Sequence, residues 1–148
     1  ADDMTLTLER MLRRTDVLKA TREDFAPTAI STDASGDGFA DRLLEKGPEV
    51  VLLTEGTAGA RAIATEDSAW GRGEWHQPGY EVEAVDTTGA GDAFLAGAIA
   101  SLAEGGEDSE PTDTLRFANA VAALATTDGG AMTALPDREV VDRFLEDQ

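Results

Sequence analysis

The chain has 148 residues, enough for one ordinary domain with a core of its own. Its 30 acidic against 12 basic residues give a net charge of −18, which excludes a nucleic-acid surface built on a basic face. With 41% hydrophobic residues in periodic segments, that charge describes a folded protein coated in carboxylates rather than a disordered one. Such a coat suits a cytoplasm rich in potassium salts, where screening weakens self-repulsion, so the chain reads as salt-adapted and archaeal or bacterial. There is no cysteine, and hence neither a disulfide framework nor a thiolate metal site. No apolar stretch approaches the length of a membrane span and no signal-peptide pattern opens the chain, so a cytoplasmic protein without a membrane partner is expected.

In chain order, Thr5 to Arg14 has helical spacing, with Leu6, Leu8, Met11 and Leu12 on or near one stripe. Asp16 to Lys19 is a short strand candidate, and Thr21 caps a helix start at Thr21-Arg22-Glu23-Asp24. Residues 35 to 46 form an amphipathic helix ended by Gly47-Pro48. Val50 to Thr54 is a continuous apolar run of the kind found in a parallel sheet covered on both faces. Glu55 to Gly59 turns the chain into a strand at Ala60 to Ala64, and residues 66 to 79 read as polar and irregular. Tyr80 to Val85 alternates as a half-buried strand. Helices then follow at 91–103, 114–127 and 137–146, the first two separated by an acidic loop from Glu104 to Asp113. Strands alternating with helices predict an α/β layered domain without internal repeats or a dividing linker.

The chemistry concentrates in Asp86-Thr87-Thr88-Gly89-Ala90-Gly91-Asp92-Ala93-Phe94. Glycines at 89 and 91 permit backbone approaches that a Cβ would block, and the free amides opening the next helix favour an anion. An acid inside such a cradle repels a phosphate that is merely bound. It makes sense where Asp92 takes a proton from a hydroxyl attacking phosphorus. A dinucleotide-binding fingerprint would require a third glycine where Phe94 stands.

Asp-Thr-Thr-Gly-Ala-Gly-Asp-Ala-Phe, with Ala96 and Gly97 behind it, resembles the C-terminal signature of the PfkB/ribokinase family of carbohydrate kinases. The resemblance implies a layered α/β/α ribokinase-like fold, its largely parallel sheet flanked by helices, of which residues 1–148 form the C-terminal half. It also implies that Asp92 is the catalytic base and that the amides of Gly89, Ala90 and Gly91 form the anion hole. Thr54-Glu55-Gly56-Thr57-Ala58-Gly59 is similar to the family's turn along the nucleotide phosphates, which assigns Thr54, Gly56, Thr57 and Gly59 to ATP. Asn119 matches an asparagine near the adenine. Thr21 and Asp24 align with the family's Asn-x-x-Glu element for magnesium and phosphate but depart from it at both ends. Both types are also favoured in a helix's first turn. Asp86 and Thr88 match oxygens of a monovalent-cation site, with Ala125, Asp128 and Gly130 at its later carbonyl positions; potassium is the implied ion.

Two motifs are set aside. Asp33 to Gly38 opens like a calcium loop, but Leu44 stands where the closing glutamate belongs. His76, the single histidine, lacks partners for zinc and reads as a surface side chain, with an adenine-edge contact as the alternative.

Complete members of the family are about twice this length, and their N-terminal half holds the sugar and the lid. The resemblance therefore implies the phosphate-transfer half of an ATP-dependent sugar kinase, more like fructokinase or 2-keto-3-deoxygluconate kinase than adenosine kinase. A different reading is a truncated, catalytically incompetent nucleotide-binding fragment. Its exposed sheet edge and apolar face would pair with a second copy or with the missing N-terminal half.

Overall fold

A computed structural model describes residues 3–30, 37–127 and 135–148. The chain divides into two compact units, with changes of unit between Glu55 and Gly56, between Ala60 and Arg61, and between Trp75 and His76. A four-stranded sheet runs in the order β1 (Val17–Ala20), β2 (Val50–Thr54), β3 (Ala60–Ala64), β4 (Gly73–Gln77).

The first unit is organised by β2, whose residues Val50 to Leu53 are all buried. This is the continuous apolar run of a strand covered on both faces. β1 pairs with β2 in parallel, from Val17 opposite Val50 to Ala20 opposite Leu53. A parallel pair needs a crossover, and α2 (Arg22–Phe25) and α3 (Asp37–Leu44) lie along it. The next two connections are too short for a crossover. Thr65 at the end of β3 donates to the Glu49 carbonyl just before β2 begins, so β3 returns antiparallel. The layered α/β class stands, with parallel pairing at β1–β2 and a mixed sheet. Leu12 of α1 (Asp3–Leu12) packs with Phe25, Phe39, Leu43, Val51, Leu53 and Ile63 in one cluster. Phe25 and Phe39 meet edge to face at 5.6 Å.

The irregular stretch expected at 66–79 contains a strand instead. β4 is polar because it exposes alternate residues on an outer strand, where its neighbour supplies bonding along one edge only. Glu74 of β4 pairs with Arg61 of β3 at 2.5 Å, and Trp75 meets Trp70 edge to face at 6.2 Å.

The second unit is built on α4 (Ala90–Gly105), α5 (Pro111–Thr126) and α6 (Arg138–Glu146). Ala93, Ala120, Val121, Ala125 and Val141 form its core, with Tyr80 and Phe144 packed against it edge to face. Arg138 of α6 lies over the Phe117 ring at 4.6 Å and pairs with Glu104 of α4. The Glu104 hydrogen bond holds the Arg138 guanidinium above its usual pKa. The helix starts and ends follow the expected boundaries closely. The strand expected at Tyr80–Val85 does not form: exposure alternates only from Tyr80 to Glu83, Ala84 and Val85 are both exposed, and the segment joins no ladder among the described residues. An apolar–polar alternation requires an extended chain, and only a neighbouring strand turns that into a sheet.

α4 and α5 approach closely because Gly97 has no side chain. A Cβ there would stand 3.0 Å from the Ala118 Cα and from a Val121 methyl. Gly97→Val should therefore destabilise the protein by about 1–3 kcal/mol through overpacking, read as a lower midpoint in urea at unchanged slope. An unchanged midpoint would mean that the two helices separate at no cost.

Candidate active site

The glycine loop hangs from the end of α5. The amides of Val85 and Asp86 both donate to the carbonyl of Thr126, at 2.7 and 3.1 Å. That carbonyl belongs to the last turn of a helix and has no in-helix donor, so the loop satisfies it. The Asp86 carboxylate folds back to accept the Thr88 amide at 2.9 Å, a side-chain-closed turn. Gly89 then takes φ +80°, a left-handed conformation that launches α4 within one residue. The Ala93 amide bonds the Gly89 carbonyl at 2.9 Å, and the Ala90 amide bonds that of Thr87 at 3.2 Å.

Asp92 is the third residue of α4 and is exposed. An acid in a first turn complements the helix dipole. Beside it the amides of Gly91 and Asp92 have no carbonyl one turn back within the helix, which leaves them open to an anion. An amide-lined helix start with a solvent-facing carboxylate can hold a phosphoryl group and accept a proton from a nucleophile approaching it.

A second cluster gathers around the turn after β2. Gly56, Thr57 and Ala58 form an exposed 3-10 turn closed by the Gly59 amide on the Gly56 carbonyl at 3.1 Å. Gly59 has φ +103° and is buried against the Gln77 carbonyl; a Cβ would overlap it. Gly79 likewise faces the Thr57 carbonyl with no room for a side chain. Asn119 lies on the buried side of α5, 8% exposed, and donates through Nδ2 to the carbonyls of Gln77 at 3.0 Å and Pro78 at 3.4 Å. His76 Nε2 is 3.2 Å from the Ala58 carbonyl.

The second unit thus brings Gly56, Thr57 and Gly59 into one cluster with the Gln77–Gly79 segment that Asn119 holds. It also brings Asp86 and Thr88 to the end of α5, where Ala125 is buried. Sequence reading missed Gln77, Pro78 and Gly79. The available signals were the Pro-Gly pair and an asparagine set between buried Ala118 and Ala120.

In the first unit, Thr21 and Asp24 open α2, and the Asp24 carboxylate accepts the Thr21 amide at 2.8 Å. That is half of a reciprocal helix cap, and Asp24 is otherwise exposed. The Thr54 hydroxyl reaches the Ala20 carbonyl at 3.5 Å. Asp128 and Gly130 lie outside the described residues, as does most of the calcium-like stretch from Asp33. Among the described residues no three His, Asp or Glu side chains cluster to cage a metal ion. None of the described helices is long and apolar enough to cross a membrane.

A glycine loop entering a helix that carries an acid in its first turn is an arrangement suited to a bound phosphoryl group. The chain belongs to the pfkB family of carbohydrate kinases, whose pattern matches residues 1–138. It is similar to a fructokinase of Salmonella thompson, 40% identical over 139 residues covering 92% of this chain and 60% of that one. Among solved structures it resembles a fructokinase variant of Vibrio cholerae O395 with fructose, ADP and potassium ion bound. The TM-score is 0.81 at 28% identity, over 97% of this chain and 44% of that one. A provisionally named ribokinase II of Escherichia coli, in complex with ATP and Mg2+, gives 0.81 at 27%, over 99% and 44%. The chain spans about half the length of the relatives it matches. The ribokinase-like fold is thereby established.

Proposed function

We propose that this chain is the C-terminal, nucleotide-handling portion of an ATP-dependent kinase acting on a sugar hydroxyl, of the fructose or 2-keto-3-deoxygluconate type. The observation that carries the reading is the exposed Asp92 in the first turn of α4, entered through left-handed Gly89. As the hydroxyl oxygen bonds to the terminal phosphorus and the bond to ADP breaks, Asp92 accepts the hydroxyl proton. The amides of Gly89, Ala90 and Gly91 stabilise charge on the transferred group, the Ala90 amide after leaving its bond to Thr87. Thr54, Gly56, Thr57 and Gly59 line the nucleotide turn, with backbone amides beside a polyanion.

Magnesium is the divalent ion of this reading, held largely by phosphates and water; exposed Asp24 is the side chain for it, with Thr21 at the phosphate. When bound, the ion neutralises charge on the phosphates. The Asp86 carboxylate, Thr88 and the Ala125 carbonyl at the end of α5 supply oxygens suited to potassium. Asp128 and Gly130 join them on the resemblance alone. We read the carboxylate coat as adaptation to a salt-rich cytoplasm.

Calorimetric titration of the chain with magnesium-ATP tests this. Saturable heat at or below millimolar nucleotide is expected, and no heat at millimolar concentration would overturn the nucleotide role.

A second reading has an observation of its own. From Ala93 to Ala100 α4 is apolar all round, and Leu95 (38% exposed), Ala96, Ile99 (58%) and Ala100 face solvent. A helix of that composition belongs in a core. On this reading the chain is incompetent until the remaining half of a PfkB domain covers that face. Sugar phosphorylation that appears only when that half is added as a separate polypeptide would establish it; turnover by the chain alone would exclude it.

A further inference from the structure

We infer that Asn119 is a positioning residue for the nucleotide turn, acting through the backbone of Gln77–Gly79 rather than by touching the base. The inference rests on the proposed nucleotide role of Gly56–Gly59. A primary amide offers two N–H donors on one nitrogen, and Asn119 directs that nitrogen at two successive carbonyls, Gln77 at 3.0 Å and Pro78 at 3.4 Å. Two acceptors on the same side fix which end of the amide faces them. The donors that would recognise an adenine acceptor are thus spent on the chain itself.

What those carbonyls belong to gives the contact its consequence. The Gln77 carbonyl is also the atom against which Gly59 packs, and the next glycine along, Gly79, packs against the Thr57 carbonyl. The two stretches lie backbone against backbone, with glycine on each side at the point of contact. No side chain is interposed to absorb a shift. A displacement of Gln77–Gly79 therefore passes directly to Thr57 and Gly59. Asn119 holds the segment from the helix side, while His76, 3.2 Å from the Ala58 carbonyl, ties it at the solvent side. The exposed face of Gly56, Thr57 and Ala58 is left turned outward, at a position set by α5.

Removing the amide frees two carbonyls and leaves the turn without its brace. Because the turn meets phosphates and not the base, every ligand with the same phosphate chain should suffer alike. Titration of Asn119→Ala with ATP, GTP and inorganic tripolyphosphate should give one common loss of about tenfold, the effect of two lost hydrogen bonds. A loss confined to ATP would overturn the inference and assign Asn119 to the base. Hydrogen exchange on the unliganded chain supplies the readout independent of nucleotide. Asn119→Ala should speed exchange at 56–60 and 76–80 and leave residues 97–101 of α4 unchanged. Unchanged exchange at 56–60 would equally overturn it. Gly79→Ala, which presses on Thr57 from the opposite side and spares the buried amide, should reproduce both effects and serves if Asn119→Ala does not fold. Should the unaltered chain bind none of the three ligands, the nucleotide reading fails, and exchange alone decides whether the brace exists.

Discussion

Asp92→Asn should lower sugar phosphorylation by about a thousandfold while ATP affinity changes by no more than about threefold, since a positioned general base contributes roughly 10²–10⁴. The assay uses this segment together with the remainder of a PfkB domain, because proximity and orientation supply much of the rate. The asparagine keeps the size and the polar reach of the side chain, and it sits in a first turn where an amide is tolerated. What it removes is the ability to take a proton. The loss should appear in kcat with little change in the nucleotide KM, the signature of an interaction made in the transition state. Turnover retained within tenfold would remove Asp92 as the base and leave α4 as an anion-binding helix start only.

The second large effect is on folding. None of the described carboxylates is buried, so the acidic excess lies where ions can reach it. Ion pairs such as Glu9–Lys46 and Arg61–Glu74 use several of the few basic residues, and the whole net charge of −18 remains whatever the bases pair with. Repulsion of this kind extends over about 10 Å at 0.1 M salt and about 3 Å at 1 M. Raising potassium chloride from about 0.1 M to about 3 M should lift the thermal midpoint by at least about 10 °C, equivalent to about 3 kcal/mol for a chain of this size. Melting followed by circular dichroism reads this directly. Coincident curves at the two concentrations would mean that the charge is ornamental to stability and would remove the salt-adapted reading.

Much of this architecture was legible because the sequence repeats at the period of each element. Val50–Leu53 is apolar at every position and proved buried at every position, and the glycine loop was recognisable from residue types alone. Ala60–Ala64 formed at the expected bounds. The misses share one cause. Periodicity reports which side of a segment is apolar, not which neighbour accepts its hydrogen bonds. Tyr80–Val85 has the alternation of a strand and no partner strand among the described residues, whereas Gly73–Gln77 lacks the apolar signal and forms one at the sheet's outer position. Asn119 stood out in the sequence by its match to a family asparagine, but its spacing in α5 could not reveal that its amide points at Gln77 and Pro78. That contact spans 42 residues, and only the folded chain brings its ends together.

The uncovered side of α4 and the carboxylate coat set folding against solubility. Salt relaxes the repulsion that opposes compaction, and concentrated salt also strengthens the attraction between apolar surfaces. The medium that best folds the chain is therefore the one in which Leu95 and Ile99 of one molecule are drawn most strongly to those of the next. Monomeric, well-folded material should occupy a window of ionic strength with a wall on each side: unfolding below, self-association above.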